Sequence, residues 1–187
     1  MPMLGIMASA ISGNLWAPTG AYDSISSVTL SAATPSITFS GIPSTYTHLQ
    51  LRCTMLGTSA TAAGSVNVQF NGDTGANYAF HLLNGIGSGT PAAYGAASAS
   101  NGRFFGYTGG IRTIYPTVGI VDILDYASIT KYKTMRGLAG NDFNGSGEVQ
   151  FSSSLWMNSA SGISTITITD SSMNFDTNSS FALYGVK

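Results

Sequence analysis

From about residue 24 the chain alternates apolar and polar positions with a period of two, and turn residues interrupt the alternation every few positions. Side chains at i and i+2 share one face of a strand, so this pattern predicts β-structure rather than helix. Ser26, Val28 and Leu30 make the first run, after which Ala33, Thr34 and Pro35 turn the chain. Ile37 and Phe39 make a short second run, closed by Gly41, Ile42 and Pro43. In residues 48–55, Leu49, Leu51, Cys53 and Met55 all fall on one face. Val66, Val68 and Phe70 follow, and Asn71-Gly72 directly after them is the strongest short hairpin signal in the chain. Residues 76–83 suit a helical turn or irregular chain. Residues 84–102, rich in Gly, Ser and Ala, read as a long exposed loop.

The second half is cleaner. Residues 118–126 are apolar at both parities, which predicts a central strand covered on each side. Residues 132–138 supply the next strand and residues 141–147 a turn. Val149, Phe151, Leu155 and Met157 then share one face of a longer strand, with Trp156 on the other. Ile166 and Ile168 alternate with threonines, a composition that favours strand. Residues 181–187 close the chain as a strand tied into a sheet. About eight to ten strands without an amphipathic helix predict an all-β, antiparallel β-sandwich of jelly-roll type. It would occupy residues 21–187, after an extended N-terminal arm over residues 1–20.

Composition narrows the class. Charged residues make up 8% of the 187, against about 25% in ordinary soluble domains. Disorder is excluded by the 43% hydrophobic and 11% aromatic content. No apolar run reaches the roughly 18 residues of a membrane helix, and the 23 glycines lack the three-residue period of collagen. A net charge of −1 leaves little repulsion between copies, so a homo-oligomer is expected. Seven Lys plus Arg, three of them at Lys131, Lys133 and Arg136, cannot neutralise a phosphate track. Those three read as a solvated strand face, and no nucleic acid or membrane partner is expected.

Candidate chemistry is sparse. His48 and His81 are the only histidines, and no Gly-x-Ser-x-Gly elbow accompanies them. Asp122 and Asp125, three apart in a strand, point to opposite faces. A pair from distant loops, such as Asp142 with Asp170, stays open as a route to glycan cleavage. Asp142, Asn144 and Ser146 with Gly147 match the front half of a calcium loop, but Ser153 stands where the twelfth-position Glu belongs. The segment therefore reads as a hairpin turn, and neither metal nor cofactor is expected. Cys53 reads as a small buried hydrophobe. Tyr94, Tyr107 and Tyr115, in or near glycine-rich loops, are candidates for interface or glycan contact. Leu4, Ile6, Met7, Ile11, Leu15 and Trp16 make the opening segment apolar. No Lys or Arg precedes Arg52, so it lacks the cationic start of a signal peptide and reads as an arm anchoring the chain to a neighbour.

Several ordered blocks carry a resemblance: Tyr22-Asp-Ser-Ile25, the stretch from Pro35 to Leu51, Phe70-Asn-Gly-Asp-Thr-Gly-Ala-Asn-Tyr78, Val121-Asp-Ile-Leu-Asp-Tyr126, Lys131-Tyr-Lys-Thr134 and the ending Phe181-Ala-Leu-Tyr-Gly-Val-Lys187. Together they resemble a family of small virion proteins of tailed phages of aquatic bacteria. The resemblance implies a non-enzymatic structural protein at the particle surface, a capsid decoration or head-fibre component. It implies a homotrimer and contact with other virion proteins such as the major capsid protein. The alternative it leaves open is a tail-fibre module that binds host surface glycans.

Overall fold

The computed structural model describes residues 20–61, 64–87, 89–106 and 110–187. Twelve strands are formed: β1 (Tyr22–Thr29), β2 (Ser36–Phe39), β3 (His48–Met55), β4 (Val66–Phe70), β5 (Tyr78–Gly85), β6 (Ala92–Ala99), β7 (Gly102–Phe105), β8 (Thr117–Leu124), β9 (Lys133–Asp142), β10 (Gly147–Trp156), β11 (Ile166–Asp170) and β12 (Ser180–Val186). They make an eight-stranded sheet, β1-β12-β3-β8-β9-β10-β5-β6, and a four-stranded sheet, β2-β11-β4-β7. Every paired neighbour is antiparallel.

The connectivity is that of a jelly roll with two insertions. β1, β12, β3 and β8 face β2, β11, β4 and β7, and the chain crosses between these two groups in the double Greek key of that fold. The hairpins β5–β6 and β9–β10 enter after β4 and after β8. They pair through β10 and β5 and widen one sheet to eight strands. The fold class expected from the sequence is therefore formed. The strand count exceeds the expectation because residues 78–83 lie in strand β5 (Tyr78–Gly85), residues 84–102 contain edge strand β6, and β7 (Gly102–Phe105) lies outside every predicted run. In β5, Tyr78, Phe80 and Leu82 are buried while His81 and Leu83 are exposed, a period-two pattern that overrides the helical reading. In β6 the Ala, Gly and Ser residues need little cover, because an edge strand buries little.

Between the sheets, Leu49, Leu51 and Met55 of β3, Val121 and Ile123 of β8, and Phe181 and Leu183 of β12 meet Val66, Val68, Phe70, Ile166 and Ile168. Each such side chain stabilises the fold by about 1.5–3 kcal/mol on burial. At β7 the approach is closer. A Cβ at Gly119 or Gly137 would sit 3.1 Å or 3.3 Å from the Phe104 side chain, so these glycines make the depression that holds it. Ser154 Oγ then accepts from Arg103 N at 3.1 Å and donates to Arg103 O at 3.0 Å, docking β7 onto β10.

Asn71-Gly72 forms the turn that its sequence predicts, with φ of 52° and 68° and Asp73 N donating to Phe70 O at 3.0 Å. It does not make a hairpin, however, since β4 and β5 lie in different sheets. The turn is clamped from outside the two strands it joins. Trp156 Nε1 donates to Asp73 Oδ2 at 2.7 Å, and Phe70 N donates to Tyr78 Oη at 2.9 Å. The Asn71 side chain accepts from Ser164 N and donates to Gly162 O, at 2.9 and 2.8 Å. The rings of Phe70 and Tyr78 lie 5.6 and 6.4 Å from that of Trp156.

Trp156 sets the faces of β10. With its indole inward, the period of two turns Glu148, Gln150, Ser152 and Ser154 inward as well, and Val149 and Phe151 outward. Gln150 is fully buried, and neither side-chain amide atom finds a hydrogen-bond partner among the described residues. Lys133, expected on a solvated face, is also buried. Its ammonium donates to Asn158 O at 2.8 Å and to Ser161 O, and lies 5.3 Å from the Trp156 ring. Desolvation holds its pKa below the usual lysine value.

Two outcomes follow from these contacts. The Trp156 hydrogen bond, aided by those from Gly75 and Asn77, holds the Asp73 carboxyl below its ordinary pKa of 3.8. Its contribution is thus present above that value and lost as pH falls through the lower folded one. Denaturation curves should show stability dropping below about pH 4, with Asp73→Asn flattening that part of the profile. Replacing Gln150 with Met removes an unpartnered buried amide at similar volume, and should raise stability by about 1 kcal/mol in urea unfolding.

Candidate interaction surface

The outer face of the eight-stranded sheet carries the most unusual chemistry. Leu83 of β5, Phe151 of β10, Leu138 of β9 and Ile120 of β8 are in direct cross-strand register and form one row. In the next row Val149 and Val118 flank Gly140. All six apolar side chains are between 47% and 57% exposed. With strands about 4.8 Å apart, the first row spans ~14 Å. Scattered exposed apolar residues are ordinary, but a contiguous ladder of them marks a contact surface.

The expectation that residues 118–126 are covered on each side is therefore corrected. β8 is central in its sheet, but only Val121 and Ile123 reach the core, while Val118 and Ile120 lie on the open face. The four-stranded partner sheet covers the inner side alone. The grouping of Val149 and Phe151 on one face holds, and that face is the outer one.

Beside the row, the sheet forms a groove of about 530 Å³. Val118, Ile120, Leu138 and Val149 line it, and Arg52, Thr54 and Ala182 carry it toward β1. Its polar margin is held rigidly. Arg52 Nε donates to Gln50 Oε1 at 2.7 Å, and Gln50 Nε2 donates to Asp122 Oδ1 at 2.8 Å. The Arg52 guanidinium rests 5.1 and 5.0 Å from the ring centres of Tyr22 and Tyr184. An apolar centre with a satisfied polar rim is the anatomy of a protein–protein contact. In the loop before β8, Ile114 is 79% exposed with φ of 57°, and Tyr115 N donates to Thr113 O across it at 2.7 Å. A β-branched residue in this conformation is strained, and the strain presents an apolar side chain to solvent.

The residues singled out from the sequence fall in several places. Leu4, Ile6, Met7, Ile11, Leu15, Trp16 and Tyr107 lie outside the described residues. Tyr94 sits on edge strand β6 rather than in a loop, with its ring 5.9 Å from Phe80 and Arg103 above it. Burial lowers the Arg103 pKa, against a raising influence from Tyr94. Tyr115 is half-buried edge-on to Phe143, over which Arg112 stacks at 3.8 Å. The two tyrosines thus belong to separate aromatic–arginine clusters.

The titratable groups have local partners. His48 Nδ1 accepts from Asp125 N at 3.1 Å, while His81 points outward from β5. Asp125 pairs with Lys131 at 2.9 Å, and that hydrogen bond lowers its pKa. Asp142 Oδ1 accepts from Asn144 N within the β9–β10 turn, and Asp170 Oδ1 accepts from Ser172 N and Met173 N. Burial raises the Asp170 pKa. The Cys53 thiol, buried between sheets and donating to Gly119 O, is pushed up to about 12, which makes it a packing residue. Among the described residues, no group of three or more His, Cys, Asp and Glu is placed to hold a metal ion. No pattern of isolated motifs pointed to the outer row, because its signal is cross-strand register, which one-dimensional periodicity does not contain. No family model, curated protein or solved structure matches this chain.

Proposed function

We propose that this chain is a non-enzymatic structural subunit that assembles with copies of itself and with other proteins on the surface of a tailed-phage particle, as a capsid decoration or head-fibre component. The observation that carries the self-assembly is the outer row Leu83, Phe151, Leu138 and Ile120, left uncovered by the described residues while polar side chains of the same strand β10 are buried. Covering the remaining exposed half of such a side chain stabilises a contact by about 1 kcal/mol. Repetition of the contact around an oligomer multiplies its effect. The jelly roll is a fold that viral capsid domains use, and the sequence resemblance points to the same setting. The apolar segment with Leu4, Ile6, Met7, Ile11, Leu15 and Trp16 is assigned to attachment on its sequence.

The alternative is a receptor-binding module for host glycans, for which the jelly roll is also suited. Of its candidate residues, Tyr94 offers an exposed ring beside a guanidinium, whereas Tyr115 turns toward Phe143. The assembly reading is preferred because the outer row is broader than any surface these tyrosines share.

Light scattering on the full chain at high concentration should give the mass of an oligomer, the outer face being expected to build a trimer. Phe151→Asp combined with Leu138→Asp should lower that mass with an unchanged far-ultraviolet spectrum. A wild-type chain that stays monomeric would sink the self-assembly reading. Gold-labelled antibody should decorate phage heads, and labelling confined to the tail tip would favour the glycan alternative.

A further inference from the structure

We infer that β6 is a docking edge for the β6 strand of a second copy, paired antiparallel about a two-fold axis so that two eight-stranded sheets become one. This rests on the assembly reading but uses a different surface, the main chain of a sheet edge rather than the side chains of its outer face.

Four strands end the two sheets: β1, β6, β2 and β7. Exposed edges are templates for further pairing, and proteins blunt them with charges, bulges, shortness or cover. β1 carries Asp23, ion-paired to Lys187 at 2.8 Å, and its register shifts between Ser24 and Ser26. β2 has four residues. β7 is pressed onto β10 through the paired Ser154–Arg103 hydrogen bonds. β6 has none of these protections over its first five residues. From Ala92 to Ala96 it runs in regular register with Asn84 to Phe80 of β5, and its other side faces no strand among the described residues. Pro91 precedes the run, and the register shift with Ser98 at φ of 56° closes it. The open edge is thus bounded at about 17 Å.

The chemistry selects a copy of the same chain as occupant. No Asp, Glu, Lys or Arg lies between Asp73 and Arg103. A residue on a two-fold axis meets its own equivalent and the residues beside it pair reciprocally, so a charge near the axis would face its like. The run Ala92 to Ala96 carries no charge of its own, and the nearby Arg103 guanidinium is turned onto the Phe80 and Tyr94 rings. A foreign strand, by contrast, is selected by pockets for alternate side chains. Ala92, Ala93, Gly95 and Ala96 build no such pockets, and Tyr94 between them rests its ring beside Phe80. Because the distal edge β1 is blunted, pairing closes at two copies instead of propagating into a fibre.

The test uses the full chain. Ala93 stands opposite Leu83 of the outer row and Ala92 points to the other face of the sheet, so Ala93→Lys and Ala92→Lys should each leave the far-ultraviolet spectrum unchanged while halving the mass measured by light scattering, and Ala93→Thr should retain the mass. Hydrogen exchange of residues 92–96 should slow as wild-type concentration rises, and Ala93→Lys should abolish that dependence. Edge pairing is overturned if Ala93→Lys keeps the wild-type mass, or if exchange in β6 is independent of concentration. Should that happen while Phe151→Asp with Leu138→Asp still dissociates the protein, the outer-face reading stands alone.

Discussion

The placement of one indole organises the rest of the molecule. Trp156 is drawn into the core by Phe70 and Tyr78 and pinned by its hydrogen bond to Asp73. Because β10 runs in unbroken register with β5 and β9, its side chains alternate throughout, and that placement decides the direction of every residue along it. Glu148, Gln150, Ser152 and Ser154 go inward and Val149 and Phe151 go outward. A slip of one residue would bury the apolar pair and free the polar ones. It would also expel the largest side chain from the core and break the clamp on the Asn71–Asp73 turn. Burying Trp156 with its aromatic neighbours outweighs the cost of an unpartnered Gln150 amide, which is on the order of 1–3 kcal/mol.

The second determinant is the asymmetry between the sheets. The hairpins β5–β6 and β9–β10 both extend the same sheet, so eight strands face four. The inner side is covered by the smaller sheet and by close docking of β7 over Gly119 and Gly137. The outer side has no layer of its own among the described residues, and apolar side chains from β5, β10, β9 and β8 stand there in register. A domain with 8% charged residues and a net charge of −1 has little electrostatic barrier to bringing such faces together. The wide sheet, the apolar row and the sparse charge all act in the same direction, toward association.

The surfaces divide this work. The outer face offers side-chain packing with a fixed polar rim of Arg52, Gln50 and Asp122. The β6 edge offers main-chain hydrogen bonds and, apart from Tyr94, little side-chain bulk. Face contacts are set by shape and edge contacts by register, so one chain carries two separable modes of joining its neighbours.

Much of the fold was legible along the chain. The bounds of β3 and β4, the turn after Phe70 and the closing strand β12 all follow from local alternation and turn chemistry. So does the jelly-roll class, since many short strands with frequent turns leave few other ways to close a core. β5 and β6 were not legible, because a mixed segment and small residues give weak local signals, and they gain strand structure from pairing, β5 with β10 and β6 with β5. Lys133 was misread for a related reason: its burial depends on carbonyls from residues 158 and 161 and on the face of Trp156. The sequence by itself determined which residues share a face. Only the tertiary structure decided which face is inside, because that choice depends on which strands become neighbours and on how far the smaller sheet reaches across the larger one.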